Sequence, residues 1–523
     1  MKIKHLFGAC LTSILALGAL TGCGGDSEYD SSGRLILRLK NVYFDTWVGA
    51  DTYTEVINDK FNVKITPSNY DYNSWDEMVY TAINGDNLTD VIQFNLKAYN
   101  FGSSYEKWVR DEMIKPLPDD MSRWPNLQKM IGKVSHVDAL KINNKLYGIP
   151  VLNDLNNPNK DFSNFTYIYR RDIAKNFSSY REGDVYTWNE FLNLVKDFRD
   201  YADTQGSKYY PLADESWGFP SVTNFFKKSP HVYAKDSNGR AINSFTSKEY
   251  EDGLEVAREF VEKLYYSPDQ FNYVENKATE TYTAGFAYIL YDNMNLSNYI
   301  KFRQNFKKSN KNVNLDDGTA FLKVKDPNGQ FALESTENWF SMTMFNNEIS
   351  TEKMEKILDI MEYLLTEEGT RLAIYGIEGY DYTIEGGKVV LSEQGWEKGS
   401  DGKYGTKENG AKYLRYMATL GGDTKSYDPY TEMDAYNIID AWTKEMATAK
   451  SNNQLRVVQE PADISWMSTA NKKKTEGILS DANTYAMGYA FGTISTIADY
   501  EAKFNELTYL QTILDEINAK LGV

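Results

Sequence analysis

The stretch from Arg34 to Phe94 decides the fold class. It opens with RLILRL (Arg34–Leu39), which reads as a strand. Tyr53, Val56, Ile57 and Phe61 then recur at helical spacing, and Val63 and Ile65 alternate as a second strand. Ser74-Trp75-Asp76-Glu77 has the S-x-x-E form of a capping box and opens a helix to about Asn84. DVIQF (Asp90–Phe94) is a third strand. Three strands separated by two helices at this spacing predict a parallel sheet of the α/β class. Such sheets bind ligands at the carboxyl ends of their strands. The loop Asn41–Ala50, with Tyr43, Phe44, Asp45 and Trp47, and the loop after Phe94, with Asn95, Lys97 and Tyr99, are therefore the first candidate site.

Toward the amino terminus, Lys2 and Lys4 precede a mostly apolar run, Leu6–Leu20, that is too short and too interrupted for a permanent span. Leu20-Thr21-Gly22-Cys23 resembles the lipobox of bacterial lipoproteins. That resemblance implies a signal peptide over residues 1–22, cleavage before Cys23 and diacylation of its thiol. The chain would then sit at the outer face of the cytoplasmic membrane, since two acyl chains anchor stably where one does not. The alternative is an ordinary cleavable signal that carries a cysteine. GGDSEYDSSG (Gly24–Gly33) completes an expected flexible tether over 23–33.

The chain has 523 residues, more than one core usually serves, so two or more lobes are expected. Its two cysteines are Cys10, lost with the signal, and Cys23, so no disulfide is available to the folded body. The net charge is −17, and the leader, with two lysines and no acids, makes the remainder more negative still. This argues against nucleic acid and against electrostatic adhesion to anionic lipid. Tyrosine (39) outnumbers phenylalanine (25), and there are 10 tryptophans. Rings with an apolar face and a polar edge suit sugars, although most single rings belong to a core.

Further along, Ser103-x-x-Glu106 opens another helix, and Asp138–Pro150 reads as a hairpin turning at Asn143-Asn144. Asn153–Asp161 is a polar loop, and Phe165–Tyr169 is a strand. Capping boxes at Thr187–Glu190 and Thr246–Glu249 precede helices to about Tyr201 and Tyr266. Tyr288–Tyr291 reads as a buried strand, Asp316-Asp317-Gly318 as a turn, and Met354–Leu365 as an amphipathic helix. Tyr500, Phe504, Leu507, Ile513 and Ile517 suggest a C-terminal helix.

Lys145–Pro150 (KLYGIP) with Tyr167–Asp172 (YIYRRD), Thr187–Lys196 (TWNEFLNLVK), and Glu362–Tyr382 with its LLTEEG and YGIEGY pieces resemble the extracellular solute-binding proteins of family 1, in its large lipoprotein branch. These proteins serve ABC importers. The resemblance implies a two-lobed, periplasmic-binding-protein-like fold, with a ligand cleft between lobes joined by several crossing segments. It places lobe one at 34–152 and 316–376 and lobe two at 153–315 and 377–523, with crossings near Pro150, Asp316 and Tyr380. It implies an oligosaccharide ligand, permease subunits as partners, no cofactor and a monomer.

For enzymes, the chain offers little. The two histidines beyond the leader, His136 and His231, lack metal-ligand spacing. There is no G-x-S-x-G, Walker A or G-x-G-x-x-G pattern. A glycosidase needs only two placed carboxylates, which 74 acids could supply. Asp154, Asn156, Asn159 and Asp161 could form a calcium loop, but they depart from the EF-hand pattern and lack its central glycine. A peptide-binding or adhesion lipoprotein is the other rival, in which backbone pairing would replace aromatic stacking. For a sugar, the expected contacts are Trp47, Trp75 and Asn95 from lobe one and Asn153, Trp217 and Asn293 from lobe two, with Trp339 and Tyr382 near the later crossings.

Overall fold

The computed structural model describes residues 28–523 except 43, 45–46, 48, 72–73, 86–87, 95–102, 135–136, 153–161, 216–217, 230–231, 335–337, 396–409, 418–432, 459–466 and 468. Cys23 and the expected lipobox, Asn95, Asn153, Trp217, His136, His231 and the expected calcium loop all lie outside the described residues.

Two mixed sheets, each with its own core, form the two lobes. In the first, the parallel strands Leu35–Asn41, Val63–Asn69 and Val91–Phe94 appear as the sequence predicts, with Leu35 opposite Val63 and Leu39 opposite Val91. Leu35, Leu37 and Leu39 are buried on one face. Trp339–Asn346 joins antiparallel to Val91–Phe94, and Ile149–Leu152 and Ile114–Lys115 pair with it. The helix Thr52–Phe61 starts where the Asp51 carboxylate accepts from the amides of Tyr53 and Thr54, at 3.0 and 2.9 Å. It stops at Asn62, whose left-handed backbone (φ 52°) suits asparagine. The helix Trp75–Asn84 forms without the expected box. Ser74 makes no cap, and its hydroxyl lies instead against Asp71 (3.4 Å) and the Met78 sulfur (3.3 Å).

The second sheet orders its strands as Val185–Tyr186, Ala320–Val324, Phe165–Tyr169, Ala287–Asn293 and Tyr210–Asp214. Thr187 and Glu190 form the expected capping box for Trp188–Gln205. The Glu190 carboxyl is drawn down to about 2, first by its hydrogen bond with Arg181 and then by the amide and hydroxyl of Thr187. The fourth box is displaced by one residue. Ser247, not Thr246, caps Lys248–Glu262, and that helix ends short of Tyr266. The C-terminal amphipathic stretch is two helices, Ile497–Asn505 and Leu510–Leu521.

Several expectations are corrected. Asn143 and Asn144 do turn, at φ 53° and 63°, but their arms make one bridge, Ile142 to Lys145, and Val137–Leu140 is a short 3-10 helix. Asp316–Gly318 lies in a short helix, Leu315–Gly318, capped by Asn314. The end of the expected tether is held to the body: Tyr29 bridges Leu35, and Asp30 turns the chain by accepting from the amides of Ser32 and Arg34.

The crossings also move. Ala320–Val324, expected in lobe one, pairs with Phe165–Tyr169 and with Val185–Tyr186, so it belongs to the second sheet. Phe331–Glu334 pairs with Leu455–Val458, and the chain rejoins the first sheet only at Trp339. Tyr382–Glu385 and Lys388–Leu391 form a hairpin packed on Ile374 and Tyr375. Ala411, Tyr413, Leu414 and Met417 bury themselves in the lobe-one core, and the last passage to lobe two falls between Met417 and Met433.

Candidate functional site

The topology brings both carboxyl edges to the crossings. In lobe one, Asn41, Asn69 and Phe94 end the parallel strands. Leu152, the last residue before the first crossing, lies opposite Trp339, the first strand residue after the second crossing. In lobe two, Asp214 and Asn293 end the parallel strands, and Phe165, which follows the first crossing, lies opposite Asn293. Glu334 ends the strand before the return, and its carbonyl accepts from the Ser163 amide at 2.9 Å, tying two crossing segments together. A cleft between these edges is where an α/β sheet places a ligand.

The lobe-two edge is acidic and enclosed. Burial, then the neighbouring Glu215, raises the Asp292 carboxyl to about 7. Thr279 links the two acids, its amide donating to Glu215 Oε1 (3.0 Å) and its hydroxyl to Asp292 Oδ2 (3.1 Å). Glu275 is also raised, by burial first and then by Glu215, and Asp71 of lobe one adds to the shift. Asn293 ends the strand here and is half-buried. Its amide donates to Asp292 (2.6 Å), and its side-chain oxygen accepts from the Asn295 amide (3.3 Å). The hydroxyl of Tyr291 accepts from Asn224 at 2.6 Å. A side chain at Gly218 would come within 2.9 Å of that ring, so glycine lets the backbone at 218 lie on it.

Below this edge, Asp214 is fully buried. Its Oδ2 accepts from the Ser221 amide and the Tyr266 hydroxyl, each at 2.8 Å. A cavity of about 40 Å³ lies nearby, lined by Phe165, Tyr167, Asn224, Tyr291, Glu334 and Trp442. It suits water rather than a sugar ring.

The expected ring contacts fare differently. Trp47 is 5% exposed, and its Nε1 donates to Thr54 (2.9 Å). Trp75 is 4% exposed and donates to the Gln93 carbonyl (2.8 Å). Trp339 is wholly buried, and Tyr382 packs on Tyr375 in a small cluster. None of the four presents an open face to the cleft, because each is packed into a hydrophobic core. The acids Glu215, Glu275 and Asp292 went unread. Only the tertiary fold brings them together, although Asp292 adjoins Asn293 in sequence. Among the described residues, no group of three or more His, Cys, Asp or Glu is placed to hold a metal ion, and no helix is long and apolar enough to cross a membrane.

No family model matches the chain. Lipoprotein LipO of Bacillus subtilis is 22% identical over 359 residues, which is 67% of this chain and 63% of that protein, less than two thirds of its length. Among solved structures, the alginate-binding protein AlgQ2 superposes with a TM-score of 0.66 at 15% identity, covering 92% of this chain and 96% of its own. The ABC-transporter substrate-binding protein FusA of Streptococcus pneumoniae, in complex with kestose, gives 0.63 at 14% identity, with coverage of 93% and 99%. An HMO-binding, ABC-transporter-associated solute-binding protein from Bifidobacterium longum infantis gives 0.60 at 13%, with coverage of 92% and 97%. The fold is that of the two-lobed solute-binding proteins.

Proposed function

We propose that the protein captures an oligosaccharide between its lobes and delivers it to an ABC-type importer, without catalysis. The observation that carries this reading is the convergence of both carboxyl edges on the crossings, in a fold shared along nearly the whole chain with sugar-binding importer components. The crossings act as a hinge that closes on a ligand touching both lobes. Asn293 bonds sugar hydroxyls in this reading, and so do Asn95 and Asn153. Trp217 supplies a stacking ring. Lipid on Cys23 holds the protein at the outer face of the membrane as a monomer.

A thermal-shift panel of oligosaccharides tests the ligand, because a sugar at 100 times its dissociation constant adds about 2.7 kcal/mol of stability. Stabilisation by peptides and by no glycan overturns the reading. Release of reducing ends from a glycan by the purified protein overturns the non-catalytic part. Cys23→Ala releases the protein from the membrane fraction in a folded state; firm retention sinks the anchor.

A further inference from the structure

Lys40 is the penultimate residue of the first strand, at the carboxyl edge of lobe one, opposite Ser68 in register. Tyr70 directly follows the second strand. The Lys40 ammonium sits 4.3 Å from the centre of the Tyr70 ring. The ring face attracts the cation, but the ammonium's N–H donors still need acceptors that a ring does not supply. Among the described residues no carboxylate pairs with Lys40. Its pKa is lowered, with burial as the cause, whereas a nearby carboxylate would raise it.

Its neighbours in this acidic chain behave differently. Arg34 pairs with Glu55, Lys60 with Glu368, Lys353 with Asp90 and Arg123 with Asp359. Tyr70 adds a second unmet group. The residue is 1% exposed, and its hydroxyl has no hydrogen-bond partner among the described residues. This corner lies at the carboxyl edge of the lobe-one sheet, where the strands Leu35–Asn41 and Val63–Asn69 end.

We propose that Lys40, seated on the buried Tyr70 ring, forms a lobe-one subsite for an anionic substituent, a carboxylate or a sulfate, on the captured sugar. An acceptor oxygen there gives the ammonium a charge-assisted hydrogen bond that the ring does not supply. The opposite wall fixes the ligand's direction. Asp292, Glu215 and Glu275 make that wall acidic, so the charged end lies on lobe one and a neutral, hydroxyl-bearing face lies on lobe two.

The inference rests on the oligosaccharide reading, and the test separates the two. Calorimetry compares length-matched neutral, uronate-bearing and sulfated oligosaccharides on the full protein, on Lys40→Met and on Tyr70→Phe. The wild type should favour at least one anionic series over the neutral one by tenfold or more, with a preference that shrinks as salt rises. Lys40→Met should bring that ratio close to one, and Tyr70→Phe, which keeps the ring under the ammonium, should leave it nearly unchanged. The uronate and sulfate arms show which anion the subsite takes. Neutral glycans bound as tightly as both anionic series, or a preference intact in Lys40→Met, overturns the subsite and leaves the oligosaccharide reading standing. Binding of no glycan at all defeats both. Melting curves on each variant confirm that the comparison is made on folded protein.

Discussion

The indole of Trp47 lies nearly parallel to the ring of Tyr413, 11° between planes and 5.6 Å between centres. Phe44 meets the indole edge-on at 4.7 Å. The face that would stack on a sugar is thus taken by a residue from the last helix of lobe one. Trp47→Ala should cost about 3–5 kcal/mol of stability, as expected for a buried tryptophan. Glycan affinity of the folded fraction should change little. Denaturant melts and calorimetry on the same preparation read both quantities, and a tenfold loss of affinity in folded variant would return Trp47 to the site.

Lys353 and Asp90 form a buried ion pair at 3.0 Å, with side chains 3% and 9% exposed. Asp90 also accepts from the Arg38 amide at 2.6 Å, so the pair ties the helix Thr351–Leu364 to the neighbouring strands. Lys353→Met leaves the carboxylate without its counter-charge, which should cost about 3–5 kcal/mol. The double variant Lys353→Met, Asp90→Asn should recover a good part of the loss, because it removes the stranded charge as well. A double variant no more stable than the single one would show that the pair's geometry, not its charge balance, holds the helix.

The alternation of leucines before Asn41 and the helical spacing after it made the first sheet legible, since both periods follow from one face being buried. Local chemistry was legible wherever it closed on itself, as in the Thr187–Glu190 box. The lobe boundaries were not. Whether Ala320–Val324 pairs with one sheet or the other depends on a partner, Phe165–Tyr169, far away in sequence. The same limit explains the site: a tryptophan beside a strand end reads alike whether its face meets solvent or, as at Trp47, another ring. Lys40 was hidden for a related reason, because what marks it is the lack of a paired carboxylate among the described residues.

Thr187→Ala removes the hydroxyl that accepts from the Glu190 amide, and it leaves Glu190 with one partner fewer. The loss should be about 1 kcal/mol, typical of an N-cap. Thr187→Ser should restore most of it, since serine keeps the acceptor. Urea melts of the three proteins measure this. A Ser variant as unstable as Ala would assign the effect to the threonine methyl instead.

Asp214 sets a pH dependence whose sign is fixed by its burial. Its carboxyl rises from 3.8 to about 7, because desolvation outweighs the hydrogen bonds from Ser221 and Tyr266. Between those two values the folded protein keeps a proton that the unfolded chain has released. Folding therefore binds protons, and stability falls as pH rises through that window. The contribution is fully present below about 3.8 and lost above about 7. Asp292 and Glu251, also raised to about 7, act in the same direction. At about 1.4 kcal/mol per unit, Asp214 alone accounts for at most a few kcal/mol. Its Oδ1 has no hydrogen-bond partner, while Oδ2 takes both donors. Asparagine can place its oxygen where Oδ2 lies and carries no charge at any pH. Asp214→Asn should therefore melt no lower than the parent at pH 8 and show a shallower fall between pH 5 and 7.5. A variant that melts well below the parent at pH 8, with the slope unchanged, would mean that the ionised carboxylate is what holds Ser221 and Tyr266.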